Sequence, residues 1–253
     1  MLDDREAVEL LAAPSIARGW LDPVAAHDAD AQLWMDCELA SFVENRFHQR
    51  LEPQTLTSDQ RAAWCGRALA AGEYLSDPRR SSFLAPFWLM DRGVRVGTVG
   101  LWPTLGRQLA PIVSLYVFPA HRSAGHAYRA LRALYDAATA SELAGLRLST
   151  GWTWQAAVRR YLLRYRMWAW SFKRSIDLVW TRHLPEHSIH IAGDTASFAV
   201  EHGDRAIALI VAGRGGDRLI WNEVPADGID GIPGLPYDAI EGRLERDASD
   251  EES

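Results

Sequence analysis

The sequence predicts an α/β domain built on one mixed sheet, followed by a small β unit. Residues 1–80 alternate Ala- and Leu-rich stretches with acids, and their apolar residues recur at the three- and four-residue spacing of helices. Residues 81–183 follow the order strand, strand, strand, helix, strand, helix, strand. This order contains few long parallel crossovers, so it favours a mixed α+β or α/β sheet over an all-parallel one.

Each element of this domain is predicted from periodicity and from the turn residues that bound it. Asp77-Pro78 ends the helical region, and Asp91-Arg92-Gly93 separates two apolar segments in the manner of a hairpin. Three successive antiparallel strands are therefore expected before the next helix. In chain order, the predictions are helices at Ala31–Phe47 and Ser58–Leu75, strands at Phe83–Met90, Val94–Trp102 and Pro111–Phe118, a helix after Gly125, a strand at Gly145–Ser149, a helix at Trp154–Met167, and one long strand or a bent pair at Trp168–Arg182.

The sequence pattern changes after Pro185, in the last seventy residues. Short apolar segments around a turn at Gly213–Asp217 predict a β appendage over residues 184–224, with the rest of the chain before it, residues 1–183, forming the main domain. Residues 225–253 are rich in Pro and Gly and then acidic, so we expect a disordered tail. The strands predicted in the appendage are Ser188–Ile191, Ser197–Glu201, Ala206–Val211 and Arg218–Glu223.

Composition restricts the class of protein. The chain has 253 residues, is 48% hydrophobic and carries a formal charge of -6, most of it in residues 238–253, where seven acids stand against two arginines. A nearly neutral body gives no broad attraction for nucleic acid or anionic membrane. The longest apolar runs are too short for a membrane-spanning helix, no secretory signal is visible, and the two cysteines have no CxxC spacing. A cytoplasmic protein without membrane or metal partners is expected.

The segment from Ser114 to Ala127 carries the chemistry. A strand that ends in a loop of small residues and continues into a helix directs several unpaired backbone N–H groups to one place, and the helix dipole adds to the attraction for an anion. Gly125 lets the backbone approach a phosphate closely, while Ala124 and Ala127 keep side chains out of the way. The segment therefore predicts an anion site.

This segment resembles the cofactor loop of the GNAT N-acetyltransferase superfamily, which reads Arg or Gln, two residues, Gly, one residue, Gly or Ala. The resemblance covers residues 80–183 and is strongest from Leu115 to Leu131. It implies a GNAT fold, acetyl-CoA or another acyl-CoA as co-substrate, and an amine of a small molecule, peptide or protein as acceptor. The backbone groups implied in cofactor binding are those of Tyr116, Val117 and Phe118 for pantetheine, and Arg122, Ser123, Ala124, Gly125, His126 and Ala127 for the pyrophosphate.

A second match lies downstream, where the family pattern runs Asn, two residues, Ala, three residues, Tyr, and then Gly-Phe. Ala157 and Tyr161 are in register, but Trp154 stands at the Asn and Tyr165-Arg166 at the Gly-Phe. The resemblance implies that Tyr161 protonates the departing thiolate, and a hydroxyl with a pKa near 10 suits that transfer. A helix-to-sheet packing role for Tyr161 stays open.

The general base is not identified by the sequence. Family members often carry a Glu on the central strand, whereas Pro111–Phe118 contains no carboxylate. Proximity in sequence leaves four candidates for the base: Glu73, Asp91, His121 and His126. The alternative interpretation is that all four are ordinary solvent-exposed polar residues.

Other site patterns are weaker. The aromatic and basic residues of Trp152–Arg174 could bind nucleic acid but also suit a half-buried strand and a solvated helix face. The spacing of His183, His187 and His190 is interrupted by Pro185, which argues against a metal site. Two functions remain in competition: an active acyltransferase, and a GNAT-like binding or regulatory module without chemistry. Family members often form homodimers, although no interface is located.

Overall fold

The computed structural model describes twelve segments of the chain. Beyond Leu148, side chains are described only at Met167 and Trp180. The described segments are residues 4–25, 28–71, 84–102, 112–141, 143, 145–151, 167–172, 175–181, 187–192, 195–202, 205–212 and 218–221.

Four helices and a seven-stranded sheet make up the main part of the described chain. The helices are α1 (Asp4–Ala17), α2 (Asp28–Phe47), α3 (Ser58–Ala70) and α4 (His126–Ala140), and the strands are β1 (Leu21–Pro23), β2 (Ala85–Asp91), β3 (Val94–Trp102), β4 (Ile112–Val117), β5 (Gly145–Gly151), β6 (Trp168–Phe172) and β7 (Ser175–Thr181). No helix among the described residues is long and apolar enough to span a membrane.

The sheet is mixed, as the sequence predicts. Its strand order is β1-β2-β3-β4-β5-β7-β6, and every neighbouring pair is antiparallel except the central pair β4 and β5. The three successive antiparallel strands β2, β3 and β4 are confirmed. The long segment predicted at 168–182 is a bent pair, because β6 and β7 form a hairpin with Phe172 opposite Ser175.

The central strands separate soon after they meet. Only Ile112 with Arg147 and Val113 with Leu148 are paired between β4 and β5. Beyond this point β4 stays paired with β3 up to Val117, and β5 stays paired with β7 up to Gly151. The sheet therefore opens beside the second half of β4, where backbone groups on one side have no strand partner.

The helices are placed around this opening. Helix α2 contacts β3, β4 and β5, while α1 packs on α4, which in turn contacts β4 and β5. Trp34, Cys37 and Ala40 of α2 form a buried cluster with Trp88 and Tyr116 of the sheet. Burial of this apolar face thus fixes α2 across the centre of the sheet.

Helix α3 begins with a capping box. The Thr57 side chain accepts from the Gln60 N–H, and the Gln60 side chain accepts from the Thr57 N–H.

The N-terminal eighty residues are not entirely helical, in contrast to the prediction. Strand β1 spans three residues and pairs with β2, so that Leu21 lies opposite Leu89 and is buried. A strand this short has no periodicity of its own, and Pro23 restricts it to a sheet edge. Tertiary pairing therefore decides its conformation.

The C-terminal region contains the predicted second sheet. Its four strands form an antiparallel array in the order β11-β10-β9-β8. The helix expected at 154–167 and the turn at 213–217 lie almost entirely outside the described residues, and the domain boundaries at 183 and 224 and the disorder of the tail stay predictions. The strands are β8 (His187–Ala192), β9 (Thr195–His202), β10 (Arg205–Ala212) and β11 (Arg218–Trp221).

Candidate functional site

The loop between β4 and α4 forms an open backbone cradle. Ser123 and Gly125 both have left-handed backbone conformations, with φ of 66° and 82°. Helix α4 begins at His126, Gly125 is its N-cap, and no side chain caps the first turn. A Cβ atom at Gly125 would meet nothing within 4 Å, so the space in front of the helix is open. The uncapped N–H groups and the helix dipole make this loop suitable for a phosphate.

The Arg122 side chain holds this loop in place. Its Nη1 and Nη2 donate to the two carboxylate oxygens of Glu44 on α2 at 2.6 and 2.7 Å, and its Nε donates to the Val117 carbonyl at 3.0 Å. The hydrogen bonds to Glu44 raise the pKa of Arg122 above its usual range. The guanidinium therefore fixes the end of β4 and the cradle to α2.

The backbone of β4 presents alternate residues to the opening. The Phe118 N–H donates to the Val96 carbonyl of β3 at 2.9 Å, which places the backbone groups of Phe118 and Tyr116 on the β3 side. In an antiparallel ladder the intervening residues point the other way. The N–H groups of Leu115 and Val117 and the Leu115 carbonyl thus face the opening beside β5. Of the three residues expected along pantetheine, Val117 has its backbone N–H on this side.

A carboxylate that the sequence does not single out lies above the same strand. Glu38 of α2 is half-buried, and its Oε1 accepts a hydrogen bond from the Thr98 hydroxyl of β3 at 3.0 Å. Burial raises the pKa of Glu38 to about 7, although Thr98 and Ser114 act to lower it. A carboxyl with this pKa exchanges its proton near neutral pH.

Two hydroxyls of β4 complete this polar cluster. Ser114 Oγ and Tyr116 Oη are buried and have no hydrogen-bond partner of acceptable geometry among the described residues, even though Ser114 is close enough to Glu38 to affect its pKa. Gly100 makes room for the Ser114 hydroxyl, since a Cβ there would lie 2.6 Å from it. Buried hydroxyls without partners indicate a place for a ligand or water.

The other described carboxylates of α2 are matched by arginines. Asp30 accepts from Arg95 at 2.8 Å and from the Trp88 indole at 2.9 Å, and Asp36 accepts two hydrogen bonds of 2.6 Å from Arg61. Glu38 differs from both, because the described side chain that donates to it is the neutral Thr98 hydroxyl. Among the carboxylates of α2 whose side chains are described, Asp30, Asp36 and Glu44 are each paired with an arginine, whereas Glu38 is bonded to a hydroxyl.

The base candidates from the sequence that the structure describes make contacts outside the Glu38 cluster. Asp91 forms an ion pair with Arg129 of α4 at 2.8 Å, and the rings of His121 and His126 lie 6.4 Å apart at the start of α4. Glu73 and Tyr161 lie outside the described residues. The one sequence signal for Glu38 is a charged residue one helical turn after Trp34, on the apolar side of α2.

The described residues contain no group of three or more His, Cys, Asp or Glu side chains arranged to hold a metal ion. The side chains of His183, His187 and His190 are not among those described.

Comparison with known proteins agrees with this geometry. Residues 41–161 match the sequence profile described as Acetyltransferase (GNAT) family. No curated protein sequence matches the chain significantly.

Several solved structures resemble the chain at low identity. The spermidine N-acetyltransferase from Vibrio cholerae, solved with CoA and spermine, has 14% identity and a TM-score of 0.41, with coverage of 64% of this chain and 94% of that chain. A putative acetyltransferase from Salmonella typhimurium, solved with acetyl-CoA, has 16% identity and a TM-score of 0.40, with coverage of 68% and 98%. The GNAT domain of a PAT from S. lividans has 12% identity and a TM-score of 0.42, with coverage of 64% and 89%. On the profile match, residues 41–161 form an acetyltransferase domain of the GNAT family, a family of acyltransferases.

Proposed function

We propose that the chain transfers an acyl group, most simply acetyl, from acyl-CoA to an amine by direct attack. The observation that carries this proposal is the continuity of two backbone features. The open side of β4 at Leu115 and Val117 leads directly into the cradle at residues 122–127. One long ligand with a peptide-like arm and a phosphate end fits such a path.

The backbone groups have distinct parts in this proposal. The N–H groups around Gly125 and the first turn of α4 would hold the pyrophosphate, and the open N–H of Val117 and the groups of Leu115 would pair with the pantetheine amides. The co-substrate supplies an activated acyl thioester. Arg122 keeps the two binding features in register through Val117 and Glu44.

The chemical requirements are orientation of both reactants, removal of a proton from the amine and protonation of sulfur. We propose Tyr161 as the acid for sulfur, on the resemblance of its segment to the family pattern. Helix α2 contacts β4, so we propose that side chains around α2 select the amine acceptor.

Thermal unfolding with and without acetyl-CoA tests the proposal. A ligand at one hundred times its dissociation constant stabilises the folded state by about 2.7 kcal/mol, which corresponds to a rise of roughly 5–10 °C for a domain of this size. Gly125→Trp places bulk in the open cradle and should abolish the rise.

Gly19→Trp is the matched control. Gly19 also has a left-handed backbone, with φ of 65°, and open surroundings, but it precedes the edge strand β1 rather than the cradle. Each variant is compared with its own unfolding midpoint without ligand, so strain from the substitution cancels. An equal rise in Gly125→Trp and Gly19→Trp, or none in the unmodified protein, would contradict the proposal. Acetyl-CoA binding without thiol release on amines would favour the binding module instead.

A further inference from the structure

We propose that Glu38 is the catalytic base, and that it receives the proton of a primary amine bound between its carboxylate and the Ser114 hydroxyl. This inference rests on the proposed acyl transfer and names the group and the acceptor class that the sequence leaves open. It assigns the base to helix α2 rather than to the central strand.

Position is the first argument. Glu38 reaches across both strands on one side of the opening, because it accepts from Thr98 of β3 and lies near Ser114 of β4. Ser114 directly follows Val113, the last residue of β4 that is paired with β5. The carboxylate therefore lies where the sheet begins to open, next to the backbone of Leu115 that faces the proposed thioester arm.

Charge is the second argument. Asp30, Asp36 and Glu44 are each held by an arginine, at distances of 2.6–2.8 Å. An arginine paired with Glu38 would hold the carboxylate in its charged form and lower its pKa, which would make it a weaker base. The Thr98 hydroxyl is a neutral partner, and it leaves the carboxylate able to accept a proton.

The protonation states of the neighbouring groups leave Glu38 as the group that titrates near neutral pH. Burial raises the pKa of the Cys37 thiol beyond the neutral range and that of Tyr116 to about 12, so both stay protonated. Two charged side chains lie on strands that α2 contacts, Arg95 of β3 and Arg147 of β5, and Arg95 is bound to Asp30. On α2 itself, Asp36 is bound to Arg61.

The hydroxyl of Ser114 indicates the acceptor class. It is buried without a hydrogen-bond partner among the described residues and can accept one N–H of a ligand. Glu38 and Ser114 together provide two acceptors, which match two N–H bonds on the same nitrogen. A secondary amine lacks the second N–H after it gives up its proton.

The proton and electron balance of the step is complete with these groups. The amine nitrogen forms a bond to the acyl carbon, the carbon–sulfur bond breaks, and its electron pair stays on sulfur. The proton lost by nitrogen goes to Glu38, and sulfur takes a proton from Tyr161 or solvent. The products are an amide and free CoA thiol, with no oxidant or reductant.

The test compares Glu38→Gln with Asp136→Asn, which removes one carboxylate from an exposed ion pair with Arg132 on α4. Binding of acetyl-CoA is measured by calorimetry, and thiol release is followed with benzylamine, spermidine and N-methylbenzylamine as acceptors. Glu38→Gln should bind acetyl-CoA within twofold of the unmodified protein but lower kcat by roughly 10²- to 10⁴-fold. Asp136→Asn should match the unmodified protein in both.

Two further readouts separate a catalytic role from a structural one. The kcat/KM of the unmodified protein should decrease as the pH is lowered through an apparent pKa near 7. This inflection should be absent in Glu38→Gln. The two benzyl amines should differ at least tenfold in kcat/KM in favour of the primary amine, and Ser114→Ala should narrow that ratio. If turnover of Glu38→Gln stayed within threefold of the unmodified protein, or if its pH inflection were unchanged, the role of Glu38 would be rejected. The proposed acyl transfer would not be affected by that result. Failure of the unmodified protein to bind acetyl-CoA or to acylate any of the three amines would instead reject the acyl transfer, and the role of Glu38 with it.

Discussion

Arg122 and Glu44 form a two-point ion pair that joins the cradle to α2, with N–O distances of 2.6 and 2.7 Å. The side chains are 23% and 16% exposed, so water screens the pair only partly. Since α2 also carries Glu38, this pair connects the proposed cofactor loop with the proposed acceptor side. Arg122 thus positions the loop relative to α2.

Replacement of Arg122 should therefore affect both stability and binding. Arg122→Gln leaves the Glu44 carboxylate without its charged partner and removes the donor to the Val117 carbonyl. We expect a loss of about 1–3 kcal/mol in the free energy of unfolding, measured in urea, and weaker acetyl-CoA binding. Glu44→Gln in the same chain should recover part of the stability, because the uncompensated charge is then removed.

Arg132→Gln is the control for this prediction. Arg132 pairs with Asp136 at 3.0 Å, but both side chains are at least half exposed. Such a surface pair contributes little, so the change should be below about 0.5 kcal/mol. Equal effects of Arg122→Gln and Arg132→Gln would show that the loop does not depend on the ion pair.

The sequence predicts the cradle better than the acceptor side, for a physical reason. The strand, the loop of small residues and the α4 period are local patterns, and they give the position of Gly125 and the start of α4 within a few residues. The bond between Glu38 and Thr98 spans 60 residues of sequence, and that between Arg122 and Glu44 spans 78. Contacts of this separation depend on how the elements pack, which one sequence does not show.

Gly97 provides a test of how closely β3 approaches β4. A Cβ atom at this position would lie 2.1 Å from the Tyr116 carbonyl oxygen and 3.1 Å from the Val117 Cα, both backbone atoms that cannot rotate away. Gly97→Ala must move β3 and β4 apart next to the β4 edge that we propose for pantetheine. We expect a loss of roughly 1–3 kcal/mol or more in stability, measured by urea unfolding, together with weaker acetyl-CoA binding.

The same substitution at Gly66 should have the opposite sign. Gly66 lies in the interior of α3, where a Cβ atom would meet nothing within 4 Å. Alanine has the higher helix propensity, so Gly66→Ala should stabilise the protein by about 0.5–1 kcal/mol. If both variants shifted stability in the same direction, the close approach of β3 and β4 would not be the cause.

Glu38 should also make stability depend on pH. Burial raises its pKa from the usual 4.5 to about 7 in the folded state. Below pH 4.5 the carboxyl is protonated in both folded and unfolded chains, so burial has no ionic cost. As pH rises from 4.5 to 7 the unfolded chain loses the proton first, and the folded state becomes less stable. Above pH 7 the full cost of the buried charge is present.

Glu38→Gln removes this cost while retaining an acceptor oxygen for the Thr98 hydroxyl. The variant should match the unmodified protein near pH 4 and exceed its free energy of unfolding by about 1–3 kcal/mol near pH 8. Urea unfolding at both pH values measures this difference, with Asp136→Asn as a control that should show no comparable change. A difference independent of pH would mean that Glu38 ionises normally in the folded protein. A gain in stability at pH 8 together with the loss of turnover would show that the fold tolerates an unfavourable charge at this place because the reaction needs a base there.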